Sequence, residues 1–151
     1  MAFLRNKWAL AALVILCWAI ASSSALGYYY LKFQELSNLL KEYEKYVIHV
    51  NICINSTEYD GKILWHNNTL VPLGYSLLQA TELVASVNAT SYEWGYFVDA
   101  INGIWSNETH YWLWYCWDNQ TKSWKFGEVG ADQHILQDGE TVKWQYEESP
   151  W

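Results

Sequence analysis

The feature that most constrains this chain is a long uncharged segment near its start. Between Lys7 and Lys32 lie 24 residues without a charged side chain, WALAALVILCWAIASSSALGYYYL. As a helix this segment spans roughly 36 Å, which exceeds the hydrocarbon thickness of a bilayer. Two interpretations are open. Either residues 8–31 form a retained transmembrane anchor after a short basic segment, residues 1–7, or the segment is a signal peptide cleaved near residues 23–25.

An apolar stripe continues beyond the uncharged segment. Its members alternate in spacings of three and four, as in a heptad repeat: Leu26, Tyr29, Phe33, Leu36, Leu40, Tyr43 and Val47. The stripe runs through the candidate cleavage point, which favours the retained anchor, with residues 32–46 as a helical stalk. A coiled coil through this stalk would give a homo-oligomer or a protein complex. The alternative is a single amphipathic helix packed on the folded domain.

Charges and sequence motifs predict the side of the membrane. Arg5 and Lys7 precede the span, which predicts a cytoplasmic N-terminus and an extracytoplasmic C-terminal domain at the cell membrane. All the N-glycosylation sequons lie after the span, and each ends in threonine: Asn55, Asn67, Asn88, Asn107 and Asn119. Turns rich in Asn and Thr account for one or two such motifs. The excess predicts an exported, N-glycosylated cell-surface protein.

The charge balance limits the classes of partner. Nine basic and sixteen acidic residues give a formal charge of −7. Such an acidic surface repels phosphate backbones, so nucleic acid is not an expected partner. Anionic lipid headgroups are disfavoured for the same reason. The hydrophobic fraction of 52% nevertheless provides a substantial core for one folded domain.

Residues 47–148 show strand and turn patterns around one helix. Alternation over residues 46–57 predicts a first strand, and Lys62–Trp65 a second one after an Asp-Gly turn. GYSLLQATELVASV has helical spacing. Strand-like segments follow it: residues 94–104, the run HYWLWYCWDNQT, and two short strands around Asp138-Gly139. This arrangement of strands around one helix predicts an α+β domain with a mixed sheet and its helix on one sheet face.

The run Tyr111–Trp117 concentrates aromatic side chains. If Leu113 faces the core, then Tyr111, Tyr115 and Trp117 share its face, while Trp112 and Trp114 point outward. Outward tryptophans would form a contact surface for a sugar, a planar cobalamin-like ligand or a protein partner. The alternative is that both sheet faces are covered, one by the helix and the other by a subunit, the stalk or a glycan.

Cys53 and Cys116 are the only cysteines beyond the span. An oxidising exterior permits a disulfide between them. The alternation of side chains along the first strand predicts that its core face contains Ile48, Val50, Ile52 and Ile54. Cys53 then lies on the other face. The predicted outward face of the aromatic run includes Cys116, so a bridge forms if the two strands are neighbours. The alternative is two separate half-buried thiols.

The sequence contains no recognisable catalytic motif: the serine nucleophile elbow, zinc-protease, P-loop and Rossmann patterns are absent. The histidines are scattered: His49, His66, His110 and His134. No cysteine has zinc-type spacing, so no metal site is expected. Asp132 and His134 resemble only half of a dyad. A glycosidase would need two carboxylates in a cleft, for which the candidates are Glu93, Asp99 and Glu108, but small single-sheet domains rarely build such a cleft.

Three segments resemble a known family: WGYFVDAING, YWLWYCWDN and VGADQHILQDGETVKWQY, which follow a short Leu-rich helix. They resemble the small β-grasp-like domain that ends the vertebrate cobalamin carriers transcobalamin and intrinsic factor, and that also occurs in archaeal and bacterial surface proteins. The resemblance covers residues 46–147, and the membrane stalk looks like that of the anchored archaeal versions. Glu140 departs from the pattern, which more often has Asp. The resemblance alone implies a cobalamin-like ligand; no other cofactor is expected.

Three functions remain as hypotheses. The leading one is a non-enzymatic, membrane-anchored, N-glycosylated cell-surface module for interaction or ligand binding. The second is a structural or accessory subunit of a surface assembly or membrane complex, held by the stalk and the aromatic strand. The third is a hydrolase that acts on glycans. The motifs of the resembled family are turns and core aromatics, so the sequence leaves the identity of the ligand open.

Overall fold

The computed structural model describes residues 7–149 of the chain, so most of the predicted basic segment lies outside the described residues. The chain divides into two compact units, Met1–Lys45 and Tyr46–Trp151. The described part of the first contains a long apolar helix, and the second has a mixed sheet, so the protein is of the α+β class.

Helix α1, Lys7–Tyr43, contains 37 residues, none of them buried, and a 3-10 turn, Glu44–Tyr46, follows it. By length and composition, the segment Lys7–Tyr46 is long and apolar enough to cross a membrane. Three consecutive serines interrupt its apolar surface, and each hydroxyl donates to a backbone carbonyl four residues earlier at 2.7–2.8 Å. These bonds leave no serine hydroxyl without a partner inside the apolar segment, as a lipid environment requires.

Eight strands and two short helices form the second unit. In chain order they are β1 Val47–Ser56, α2 Thr57–Asp60, β2 Lys62–Pro72, α3 Leu77–Glu82, β3 Val87–Tyr92, β4 Gly95–Ile101, β5 Ile104–Trp105, β6 His110–Asp118, β7 Ser123–Phe126 and β8 Thr141–Glu148. The larger sheet has the order β2-β1-β8-β6-β7, in which β1 and β8 are parallel and the other neighbours antiparallel. The smaller sheet has the order β3-β4-β5.

The core lies on one face of the larger sheet, against α3 and the smaller sheet. On β1 the predicted core face is confirmed, since its four members are each 5% exposed or less: Ile48, Val50, Ile52 and Ile54. Trp144 of β8 is 2% exposed, and its indole nitrogen donates to Thr81 Oγ1 of α3 at 2.8 Å. The single bond ties the helix to the middle of the sheet.

The predicted helix over residues 74–87 is much shorter in the structure. Ser76 caps α3 through a reciprocal pair of bonds with Gln79, and the helix ends at Glu82. Strand β3 then begins at Val87 and pairs with β4. The apolar residues after Glu82 fit a helical spacing, but pairing with a neighbouring strand outweighs this weak local preference.

Two further elements differ from the prediction. Strand β2 extends to Pro72, with one extra residue opposite β1 between His66 and Thr69, where Asn68 takes a φ of 53°. Around Asp138-Gly139 only the second predicted strand forms, as β8. The segment before it makes an isolated bridge, Ser76 with Ile135.

Candidate functional site

The aromatic strand β6 has the opposite phase from the prediction. Trp112 and Trp114 are 3% and 8% exposed and belong to the core. Trp114 is paired with Trp144 of β8, which fixes the phase. Leu113, the residue on which the prediction depended, is also buried but lies on the other face. Trp112 and Trp114 therefore do not form an exposed contact surface, and the exposed aromatic surface of β6 lies on the opposite side.

That opposite side of the larger sheet is named here the outer aromatic face. Residue pairing places on it Trp65 of β2, Tyr115 and Trp117 of β6, Trp124 and Phe126 of β7, and Lys143 of β8. Trp65 and Phe126 are 47% and 45% exposed, and the remaining members are half-buried. The rings of Trp117 and Trp124 meet edge to face, with centroids 5.3 Å apart. The aromatic side chains of β6 and β7 are adjacent to one another, and Trp65 lies on the far side of Cys53 and Lys143 in the same row.

Lys143 lies at the centre of the outer aromatic face. Its ammonium nitrogen lies 4.8 Å from the ring centre of Tyr115 and 5.0 Å from that of Trp124, which are cation–π distances. Tyr115 donates its hydroxyl hydrogen to Glu147. Desolvation, and then that bond to a carboxylate, raise the pKa of Tyr115 well above its ordinary value, so it stays a neutral donor. The centre of the face thus carries the Lys143 ammonium over two rings and the Glu147 carboxylate bonded to Tyr115.

The tryptophans of the two sheet faces differ in how their N–H groups are used. On the core face each indole donates to a protein oxygen: Trp112 to Ile104 O at 2.8 Å, Trp114 to Val129 O at 3.0 Å and Trp144 to Thr81 Oγ1 at 2.8 Å. On the outer aromatic face none of the three indoles has a hydrogen-bond acceptor within the described residues. Their N–H groups remain available to something outside the domain.

The predicted disulfide between Cys53 and Cys116 is wrong, because both thiols are free. Strand β8 lies between β1 and β6, so the two residues are about 9.5 Å apart, beyond the roughly 7 Å limit for Cα atoms in a bridge. They also lie on different faces, since Cys53 pairs with Lys143 and Cys116 with Val142. Burial raises the pKa of Cys53, an effect that Lys143 partly offsets.

The sequon asparagines are spread over the second unit. They lie at the end of β1 (Asn55), in the irregular part of β2 (Asn67), in β3 (Asn88), before β6 (Asn107) and in the β6–β7 turn (Asn119). All except Asn55, which is half-buried, are exposed. Strand pairing places Asn55 on the same sheet face as the outer aromatic residues. Its glycosylation, like that of the others, stays a prediction.

An open cavity of about 610 Å³ is formed by residues of α3, β3 and β4 and of the loop before β8. Two carboxylates line it, those of Glu82 and Asp132, and its described wall has no lysine or arginine. Asp132 Oδ1 is buried and has no hydrogen-bond partner within residues 7–149. A buried carboxylate oxygen is costly to leave unpaired. The cavity is therefore suited to a neutral or cationic small molecule.

The structure does not bring the candidate catalytic residues together. His134 bonds to Glu140 at 2.7 Å, rather than to Asp132. Glu93 is in the turn before β4, Asp99 accepts a bond from Thr90 at 2.6 Å, and Glu108 precedes β6. Within the part of the chain that is described, no group of three or more His, Cys, Asp or Glu side chains could hold a metal ion.

Sequence reasoning missed both the cavity and the outer aromatic face. The cavity depends on β3, which is missing from the predicted elements because the predicted helix ends at its first residue, Val87. The outer aromatic face was missed because β6 was assigned the wrong phase. Trp65 and Trp124 gave a signal, since each lies in a strand-like segment apart from the aromatic run. Pairing both with β6 would have required the strand order, which has no local signature.

Comparison with known proteins identifies a family for part of the chain. Residues 74–148, just under half of the chain, match the family described as Domain of unknown function (DUF4430). The matched segment includes α3 and strands β3 to β8, and hence the whole lining of the cavity. No curated protein matches the chain at a significant level.

Two solved structures share the fold. Haptocorrin, of the transcobalamin family and solved in complex with Cbi, gives a TM-score of 0.56 at 17% identity, over 68% of this chain and 25% of haptocorrin. A protein from Ruminococcus gnavus, provisionally named a metal binding protein, gives a TM-score of 0.51 at 16% identity. That match covers 68% of this chain and 98% of the other protein. This chain thus spans a quarter of haptocorrin. At such identities the likeness shows the fold alone, and at that level the expected resemblance to the transcobalamin family is confirmed.

Proposed function

We propose that this chain is a membrane-anchored, N-glycosylated cell-surface module that binds a small ligand and catalyses no reaction. The observation that carries the proposal is the open cavity of about 610 Å³, whose volume is within the range of ligand sites. The carboxylates of Glu82 and Asp132 in its wall would favour a neutral or cationic ligand. The similar structures are described as binding proteins, which is compatible with a module without catalysis.

In this proposal α1 provides both the anchor, over residues 8–31, and the stalk, over residues 32–46. The exposed apolar surface of α1 and its internally bonded serines support a lipid environment. The domain over residues 47–148, of the β-grasp-like type found in anchored archaeal surface proteins, would lie outside the cell. That position would agree with five sequons in this domain, four of them on exposed asparagines.

Ligand binding is tested first with cobalamin, because haptocorrin was solved in complex with Cbi. Equilibrium dialysis of the full chain in detergent measures cobalamin binding, and native mass spectrometry detects any small molecule that copurifies. A89W places a large side chain on the cavity wall and should abolish binding. S91W, two residues along the same strand and outside the wall, is the matched control. A domain that binds no cobalamin and copurifies with no small molecule would contradict the proposal.

The anchor and the glycans are tested on protein from a host that performs N-glycosylation. The chain should resist extraction from membranes by alkaline carbonate, because α1 is inserted rather than adsorbed. Its intact mass should exceed the sequence mass of 17.7 kDa and should fall on enzymatic removal of N-glycans. A mature protein that begins near residue 26, or one without carbohydrate, would overturn this part of the proposal.

A structural or accessory subunit of a surface assembly is the second candidate. The observation that favours it is the exposure of the heptad stripe on α1, from Leu26 to Tyr43. Light scattering in mild detergent separates the candidates, since a monomer favours the binding module and a defined oligomer the assembly. L36K, on the stripe, should dissociate such an oligomer, whereas L39K, off the stripe and equally exposed at 57%, should not.

A further inference from the structure

The aromatic side chains of the outer aromatic face are only partly covered within the second unit, although Leu113 and Cys53 on the same face are buried. Helix α3 and the smaller sheet pack on the opposite face, where they enclose the core. Trp65 remains 47% exposed and Phe126 45% exposed. Exposed aromatic patches of this extent on a soluble domain generally mark a contact. The side chains of the outer aromatic face indicate which class of molecule could cover it.

The chemistry of this face suits a carbohydrate. Three indole N–H groups lack acceptors within residues 7–149, and a sugar supplies hydroxyl oxygens that accept such bonds. Pyranose rings also present a face of C–H groups that packs on aromatic rings. The ammonium of Lys143 lies over two aromatic rings, and the carboxylate of Glu147 accepts a hydrogen bond from Tyr115. Both charged groups at the centre of the outer aromatic face therefore have a partner within the domain. A neutral sugar chain matches a surface that is aromatic and electrically balanced.

Asn55 lies on the same face. It pairs with Ile63 of β2 and with Gln145 of β8, and its row is adjacent to the row that contains Trp65, Lys143 and Tyr115. The diagonal separation between Asn55 and Trp65 is therefore about 7–8 Å. Along the adjacent row, Cys53 and Tyr115 are two strand spacings apart, which is about 9.5 Å. A sugar chain of a few units attached to Asn55 is long enough to reach the centre of the face.

Two hydrogen bonds to other side chains hold the Asn55 side chain along the sheet, and the Thr57 backbone N–H donates a third to its Oδ1 at 3.0 Å. Its Nδ2 donates to Gln145 Oε1 at 2.9 Å, and its Oδ1 accepts from the Thr57 hydroxyl at 2.8 Å. The amide nitrogen carries two hydrogens, and only one is used by Gln145. Attachment of a sugar at the other is compatible with both bonds. The first sugar would then leave a fixed side chain that is half-buried among the residues of the outer face.

We propose that the N-glycan of Asn55 packs on the outer aromatic face and covers it. The proposal depends on the glycosylation included in the proposed function, and it assigns to one sequon a role that the other four do not have. The glycan acts as a permanent, covalently attached cover for a surface that would otherwise associate with other chains. The occupant is thus carbohydrate of this chain, and a free ligand or a protein partner would be excluded from the face while it is in place.

The test combines sequon removal with residue-resolved oxidative footprinting of the glycosylated full chain. N55Q and T57A both remove the sequon, and T57A keeps the bond from Asn55 to Gln145 in case N55Q folds poorly. Labelling of Trp65 and Trp124 should rise severalfold in both variants. N88Q, which removes a sequon on the smaller sheet, is the matched control and should leave these residues unchanged. Trp105, 58% exposed and on the smaller sheet, serves as the internal standard.

The outcomes separate this proposal from the proposed function. If mass analysis finds sugar at Asn55 but N55Q and T57A leave the labelling unchanged, the glycan does not cover the face and this proposal is overturned. If the other sequons carry sugar and Asn55 does not, the proposal is again overturned while the glycoprotein account survives. A chain without any carbohydrate overturns both. Increased labelling in N55Q and T57A, with none in N88Q, supports the proposal.

Discussion

The two faces of the larger sheet contain the same kinds of residue and use them differently. The core face has Trp112, Trp114 and Trp144, each at most 8% exposed and each with its N–H bonded to a protein oxygen. The outer aromatic face has Trp65, Trp117 and Trp124, which are more exposed and have no such bonds among the described residues. Residue type alone does not separate core from contact surface. The state of the indole N–H does, because burial without a partner is costly.

The largest expected difference between the faces is the cost of truncating a tryptophan. W144A removes a side chain that is 2% exposed and should lower the free energy of unfolding by about 3–5 kcal/mol. W65A, on the outer aromatic face, should lower it by less than about 1 kcal/mol, since much of its surface already meets solvent. Urea unfolding of both variants measures the difference. Equal costs would mean that the two faces are not distinct in the way the structure shows.

A glycine beside Trp114 should be nearly as sensitive. A Cβ at Gly127 would lie 2.0 Å from the Trp114 ring, far inside van der Waals contact, and the ring is enclosed in the core. G127A should therefore cost about 3 kcal/mol, the upper end for overpacking. Thermal unfolding measures it. The double variant G127A/W114L should be more stable than the sum of the two single changes predicts, because the smaller side chain relieves the clash. Strict additivity would argue against the clash.

How well the sequence predicts a strand depends on whether its two faces differ in residue type. On β1, apolar and polar residues alternate, so the core face could be read directly and is confirmed. On β6 both faces are aromatic or apolar, and a one-residue error in phase exchanges the two completely. Trp112 and Trp114 were misplaced for that reason alone.

Strand order was the second limit. The insertion of β8 between β1 and β6 separates Cys53 from Cys116 and makes Lys143 the centre of the outer aromatic face. These are contacts between residues about 90 positions apart, such as Asn55 and Gln145. No local pattern specifies them, so the sequence could predict the α+β class and most turns but not the site.

A smaller effect is expected from the bond between α3 and the core face. T81V keeps the shape of the side chain but removes the acceptor of the Trp144 N–H, which is then buried without a partner. The expected cost is about 1–2 kcal/mol. W65F removes an indole N–H that has no acceptor in the described chain and should cost nearly nothing by comparison.

Chemical denaturation of T81V, W65F and the double variant T81V/W144F checks this second contrast between the faces. In the double variant the donor and the acceptor are both absent, so its cost should be less than the sum of the single changes. If W65F were as damaging as T81V, the outer indole would have an acceptor after all.

The smallest effect concerns an exposed ion pair at the end of β6 and β7, on the same side of the sheet as Cys116. Asp118 ends β6, bonds to Lys125 of β7 and accepts from the backbone N–H of Gln120 at 2.7 Å. These bonds, that of Lys125 first, hold the pKa of Asp118 well below its ordinary value. A lowered pKa means that the carboxylate stabilises the fold above its unfolded pKa, about 3.9, and that this contribution is lost as the pH falls through the folded value. D118N lacks the charge but keeps the acceptor for Gln120.

The melting temperatures of the wild type and D118N should therefore differ by a small, constant amount from neutral pH to about pH 5, and should converge below about pH 4. Added salt should narrow the gap at neutral pH, because an exposed pair is screened. A gap that widens in acid would show that Asp118 is not held ionised by Lys125. The exposed end of the core side is thus stabilised by a weak surface ion pair, whereas its middle is stabilised by burial. Acid should therefore affect the first, and cavity-forming substitutions the second.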